Sequence, residues 1–317
     1  MSPIISIIGF FVCFVILAVV SDWFIEGLST LSHRYKIPQS VAGATLAAVG
    51  SSAPELFSNG AAVLMDVPNV GIGVITGSAI FNILVIVGLS AMFGTCRVLP
   101  RVFHRDGFFY VLAVLSLIWV IWDKQITRME AIFLVLAYLF YFGVLIRDIK
   151  KHPEESPSSD LEGQGMPLPR AWLIVPASII IFGVTCHYLI QFTLDLGKAL
   201  HINPVILGLL VNAIGTSVPD TLASISAVKK GLGSLAISNA IGSNIFDIWF
   251  CIGVPLAFRS FTPVVGEIAA SVPFLLISVI VALIFVRTDW LVTRKEGAIL
   301  LALYLGFVGF TIYLGLN

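Results

Sequence analysis

The sequence predicts an all-α integral membrane protein of ten transmembrane helices in two inverted five-helix repeats, with helices 2 and 7 broken at mid-membrane. Three observations carry this. The chain is 58% hydrophobic and 11% charged, against about 25% charged residues in a soluble domain, and its mean hydropathy is +1.02. Ten apolar stretches are long enough to cross a bilayer, each near the roughly 20 residues a spanning helix needs. One offset of 165 residues superimposes residues 41–90 on 206–255 without a gap, with 14 of 50 positions identical. Five spans is an odd number, so two homologous halves must enter the membrane from opposite sides.

Taken in order, the expected spans are about 4–20, 38–65, 70–93, 107–122, 129–146, 171–193, 204–228, 235–257, 265–286 and 297–315. The first follows no basic residue, which favours a membrane helix over a cleaved signal peptide. Asp22 and Glu26 follow its apolar run and read as an exposed helix end. The long polar stretch around 147–170 mixes charges with Pro, Ser and Gly and reads as a flexible linker. The expected organisation is thus residues 1–148, a linker at 149–169, and residues 170–317. Fourteen Lys and Arg residues fall on the linker side and four on the other. This bias places the linker in the cytoplasm and both termini outside. Zero net charge gives no global attraction to nucleic acid.

Cys13, Cys96, Cys186 and Cys251 show no pairing pattern, and three of them lie in apolar runs as buried thiols. The five histidines are scattered, with no metal-ligand spacing. His187, inside a span, reads as a packing residue.

The repeated stretches hold the chemistry. Gly50-Ser51-Ser52-Ala53-Pro54-Glu55 matches Gly215-Thr216-Ser217-Val218-Pro219-Asp220. Each carboxylate is followed, 27 residues later, by Asn82 or Asp247. A proline lacks an amide hydrogen and clashes with the carbonyl four residues back. The carbonyls of Gly50 and Gly215 therefore lose their helical partners, and each helix breaks. Broken backbone at that depth is tolerated only when buried or lining a wet cavity. Small residues alone would suit close helix packing. They do not account for Glu55, Asp220 and Asp247, since a carboxylate at a helix centre costs about 2.5–3.5 kcal/mol on insertion scales. Ser51, Ser52, Thr216, Ser217, Ser78 and Ser243 add hydroxyls, so the donors are all oxygen, the chemistry of hard cations. Glu55 and Asp220 match one divalent ion. Asp247, opposite neutral Asn82, adds a third negative charge that calls for a proton or a monovalent cation.

The segments GSSAPELF, GSAIFNI, GTSVPDTLAS and GSNIFDI resemble the paired α-repeats of the cation/Ca²⁺ exchanger superfamily. Asp247, with Arg105, Asp106, Asp123, Glu130, Tyr138 and Tyr141, resembles the potassium-dependent Na⁺/Ca²⁺ exchangers in compact form, without a large cytoplasmic loop. The resemblance implies Ca²⁺ at Glu55 and Asp220, assisted by Ser51 and Thr216. It implies Na⁺ or K⁺ at Ser52, Ser78, Asn82, Ser217, Ser243, Asp247 and the carbonyls of Ala48 and Ala213, with Asn244 supporting. It implies inorganic cations as cargo, no cofactor and no enzymatic activity, while the absence of a targeting peptide favours a plasma or cell membrane. Na⁺/Ca²⁺ antiport by alternating access is the expected function, with K⁺ co-transport left open. A Ca²⁺/H⁺ antiporter of the same fold is the alternative. A cation channel is disfavoured by antiparallel halves, and an intramembrane protease by the absence of a GxGD segment.

Overall fold

In lipid a backbone must satisfy its own polar groups, and a helix does so within one segment. The computed structural model describes residues 3–35, 49–122, 125–152, 166–229, 231, 233–259 and 271–316, and it is helical almost throughout. The helices are α1 (Pro3–Arg34), α2 (Ala53–Leu64), α3 (Pro68–Phe93), α4 (Pro100–Trp122), α5 (Arg128–Lys151) and α6 (Leu168–Leu200). They continue as α7 (Pro204–Thr216), α8 (Val218–Lys229), α9 (Gly233–Phe258), α10 (Ser271–Arg287) and α11 (Arg294–Leu316). Among the described residues, seven helices are long and apolar enough to cross a membrane, or eight if the bent pair α7 and α8 forms one span. Residues 36–48, 123–124 (Asp123 among them), 153–165 and 260–270 lie outside the described residues. With them go parts of the second and ninth expected spans, most of the expected linker, and Ala48.

The 165-residue offset reaches into the helix boundaries. It carries Ala53–Leu64 onto Val218–Lys229, and Pro68–Phe93 onto Gly233–Phe258. The inner helices are α3, buried over its central five turns, and α9. A helix apolar on every side belongs in such a position. By contrast α1 and α6 run 32 and 33 residues, longer than their expected spans, and pack along one another more extensively than any other pair. Asp22 and Glu26 do not end α1. They ride on its exposed face as the helix continues to Arg34. His187 departs from its expected packing role. It lies on the outer face of α6, its ring against Tyr188.

Close approach depends on small residues. A Cβ at Gly77 on α3 would lie 2.0 Å from the Leu209 carbonyl oxygen of α7. One at Gly215 would collide with the Phe14 ring of α1. Gly27, on α1, packs against Val175 of α6, whereas Gly183 has open space around it.

The loops meet in sets. Cys96–Arg97 and Leu291–Val292 form an antiparallel two-residue ladder, not anticipated from sequence. Gly233 packs beside them against Thr95. A different pair of loops meets where Arg259 bridges Asp66. α5 begins with a capping box in which Thr127 and Glu130 satisfy each other's backbone amides, and Thr293 and Glu296 repeat it before α11. Glu130 is thereby accounted for by helix initiation. Arg105 holds Asp106 at 2.7 Å and also grips Asp148, while the Tyr141 hydroxyl donates to Asp106 at 3.1 Å, tying α4 to α5.

Gly77→Ala should lower the thermal midpoint of the detergent-solubilised protein by an amount equivalent to about 1–3 kcal/mol, the usual cost of overpacking. Gly143→Ala, with nothing within 4 Å of the added methyl, should not lower the midpoint and should raise it slightly through helix propensity.

Candidate cation site

Both repeated stretches interrupt a helix at a serine. Helical backbone at residues 49–51 ends at Ser52 (φ −93°, ψ 8°), and α2 begins at Ala53. α7 ends at Thr216, Ser217 takes φ −85° and ψ 4°, and α8 departs at 42° to α7. The two serines are related by the repeat offset and adopt nearly the same conformation. Each interruption starts a new helix two residues ahead of an acid, so Glu55 and Asp220 fall in the first turns of α2 and α8. The N-terminal end of a helix dipole favours negative charge there.

The inner helices answer with π turns. Asn82–Ile86 in α3 and Asp247–Cys251 in α9 are π-helical, again offset by 165 residues, and each opens on a predicted site residue. Such turns recur at functional sites because they re-aim a side chain and loosen the local ladder.

The side chains converge. Glu55, Asp220 and Asp247 are all 0% exposed and lie within electrostatic reach of one another. Ser78 donates to Glu55 Oε1 at 3.1 Å, and its repeat mate Ser243 donates to Asp220 Oδ1 at the same distance. The halves also cross. Ser217 reaches Glu55 Oε1 at 3.4 Å and lies 2.7 Å from the Ser78 hydroxyl. Thr216 approaches Glu55, while Ser51 and Asn82 approach Asp220. Asn82 donates to Asn244 Oδ1 at 3.1 Å. Asn244 in turn donates to the Ala79 carbonyl at 2.9 Å and to the Tyr110 hydroxyl at 2.7 Å. Positions 79 and 244 are themselves repeat mates.

Each acid spends one oxygen on the protein and leaves the other without a hydrogen bond. Glu55 Oε2, Asp220 Oδ2 and Asp247 Oδ2 are buried and unpartnered, as are Ser52 Oγ and Asn82 Oδ1. Buried polar atoms are rarely left so, and an unpaired buried charge costs several kcal/mol, about 3–5 when one partner of a pair is lost. Oxygens in this condition are ready ligands for a hard cation. Among the described residues, no three His, Cys, Asp or Glu side chains close into a metal cage by themselves. The donor set is instead carboxylate, hydroxyl and amide oxygen together.

The predicted residues do not all stand alike. The Ala213 carbonyl already accepts from the Ser217 amide at 3.2 Å and from the Thr216 hydroxyl at 3.3 Å. Thr216 therefore turns its proton to its own helix. Other neighbours escaped sequence reasoning. Asn239 donates to Asp220, and Asn59 donates to the Cys251 carbonyl at 2.8 Å. The Cys251 thiol lies 3.7 Å from Asp247 Oδ1 and 3.9 Å from the Ser52 carbonyl, so a thiol does join the surroundings of the site. Cys186 likewise reaches the Pro54 carbonyl at 3.6 Å. Three of these carried a signal: Asn59, Asn239 and Cys251 each stand four residues from Glu55, Ser243 or Asp247, the spacing that shares a helix face. Tyr110, from α4, had none.

Asn244→Ala strands the Tyr110 hydroxyl and takes one partner each from the Ala79 carbonyl, which keeps the Asn82 backbone amide, and from the Asn82 side-chain amide, which keeps Asp220. The stranded hydroxyl alone costs about 1–3 kcal/mol. The thermal midpoint should fall markedly, with or without added Ca²⁺, and an unchanged midpoint would contradict this arrangement.

The family model described as sodium/calcium exchanger protein matches residues 5–147 and 170–313. Sodium/calcium exchanger MaX1 of Methanosarcina acetivorans is 26% identical over 93% of this chain and 95% of its own length. Human sodium/potassium/calcium exchanger 5 is 26% identical over 92% of this chain and 80% of its own. A solved structure of the sodium-calcium exchanger NCX_Mj, soaked with Na⁺ and Sr²⁺, superimposes with a TM-score of 0.68 at 23% identity, covering 97% of this chain and 98% of that one. This last likeness establishes a shared fold. With both halves matched, the chain is an integral membrane protein that belongs to the sodium/calcium exchanger family.

Proposed function

We propose that the protein is a secondary antiporter that exchanges Na⁺ for Ca²⁺ by alternating access. The observation that carries this is the trio of buried carboxylates, each holding one oxygen free of protein hydrogen bonds. Glu55 and Asp220 take Ca²⁺ between them, with Ser51 and Thr216 alongside. Ser52, Ser78, Ser217, Ser243, Asn82 and Asp247 take monovalent ions, with the carbonyls of Ala48 and Ala213 completing those positions and Asn244 holding the geometry. Ca²⁺ and Na⁺ compete for the same carboxylates, so each drives the other out. Only loaded states cross, because bare buried acids are costly to occlude.

The architecture we infer is ten spans in two inverted halves, residues 1–148 and 170–317, joined by a cytoplasmic linker at 149–169, with both termini outside and the protein in the cell membrane. The near-identical turns at Ser52 and Ser217 and the recurrence of helix boundaries support it. The long pair α1 and α6 is the moving part. Asp247 carries the third negative charge where its repeat mate Asn82 is neutral, and this charge is the reason to expect K⁺ co-transport.

The test is radiolabelled Ca²⁺ uptake into Na⁺-loaded proteoliposomes, with and without K⁺ and across a pH gradient. Uptake should require internal Na⁺. Uptake that ignores Na⁺ and follows a proton gradient would assign the chain to Ca²⁺/H⁺ antiport instead. Flux that neither saturates nor depends on trans Na⁺ would indicate a channel. Asp247→Asn should remove the dependence on K⁺ and keep Ca²⁺ movement. Unchanged ion dependence in that variant refutes the role given to Asp247.

A further inference from the structure

The repeat loses its symmetry one turn before Ser243. Asn239 stands on α9 four residues before Ser243, and its repeat mate on α3 is Val74. The Asn239 amide nitrogen lies 3.1 Å from Asp220 Oδ1 and 3.4 Å from Ser224 Oγ. An ionised carboxylate only accepts, so the amide must present its N–H to Asp220. Glu55, by contrast, is faced by hydroxyls, Ser78 and Ser217 linked to each other at its Oε1 and Thr216 beside them. Val74 is buried and offers no hydrogen bond.

The acids differ in the same sense. Glu55 has one methylene more than Asp220. The longer side chain stands in the half with the apolar valine, and the shorter one in the half with the amide. A hydroxyl donor can swing toward an arriving ion, whereas a carboxamide facing a carboxylate keeps its donor in place.

We propose that Asn239 is a positioning residue for Ca²⁺ binding. It pins Asp220 Oδ1 so that Oδ2 stays aimed at the shared pocket, compensating for the shorter reach of aspartate. This rests on the reading of Glu55 and Asp220 as the Ca²⁺ carboxylates. Ca²⁺ depends on both acids at once, while Na⁺ draws on several hydroxyl and carbonyl positions besides. Loss of the pin therefore acts mainly on Ca²⁺.

The experiment is Na⁺-driven uptake of radiolabelled Ca²⁺ by the full chain in proteoliposomes. Asn239→Val, which copies the first half, should raise the KM for Ca²⁺ about tenfold, as expected for losing a hydrogen bond to a charged group. The rate at saturating Ca²⁺ and the half-saturating Na⁺ should change less than about twofold, well below the tenfold expected for Ca²⁺. The double variant Asp220→Glu with Asn239→Val recreates the Glu–Val pairing of the first half and should recover most of the lost affinity. Asn239→Ser, a shorter donor, should give an intermediate KM and carries the test if the valine variant does not reach the membrane. An unchanged KM in the valine or serine variant overturns the proposal. So does a fall in saturated rate at constant KM, or a double variant worse than Asn239→Val alone. If Asp220→Asn itself leaves Ca²⁺ uptake intact, the underlying site assignment fails instead, which separates the two outcomes.

Discussion

Three carboxylates buried at 0% exposure within electrostatic reach of one another are the constraint that organises this molecule. Like charges in a low-dielectric interior repel strongly, so the arrangement is tenable only if something else shares the space. The protein provides part of the answer. Helix starts at Ala53 and Val218 place Glu55 and Asp220 at positive dipole ends, the linked hydroxyls of Ser78 and Ser217 serve Glu55 Oε1, and Ser243 and Asn239 donate to Asp220 Oδ1. The remaining oxygens are left for a cation. The interruptions at Ser52 and Ser217, the π turns at Asn82 and Asp247, and the small residues that let α3 meet α7 all serve that one convergence.

Much of this was legible because the chain states its design twice. A gapless 165-residue offset located both stretches, paired Glu55 with Asp220 and Asn82 with Asp247, and singled out Ser78 and Ser243 before any geometry was known. The prolines stand two residues after Ser52 and Ser217, which leave helical φ and ψ. Hydropathy found the apolar segments. It placed their ends poorly for α1 and α6, because packing between the two keeps each helical beyond its apolar run.

What stayed hidden is physical in origin. Hydroxyl and carbonyl oxygens point in directions set by rotamers, so nothing in the sequence says that Thr216 turns its proton to Ala213 or that the Ala213 carbonyl is doubly engaged. Cys251 looked like a buried thiol in an apolar run, which it is. Its place beside Asp247 follows from a four-residue spacing within a π turn. Tyr110 reaches Asn244 across 134 residues, a contact that only the packing of α4 on α9 creates. The loop ladder between Cys96–Arg97 and Leu291–Val292 is likewise a product of which loops share an end of the bundle.

The central claim is that Glu55 and Asp220 hold a single Ca²⁺ that Na⁺ displaces. Equilibrium binding of Ca²⁺ to the purified protein tests it most directly. The account predicts one Ca²⁺ per chain, released by Na⁺, with binding abolished in both Glu55→Gln and Asp220→Asn. Ca²⁺ that remains bound in either neutralised variant, or that Na⁺ cannot displace, would contradict it.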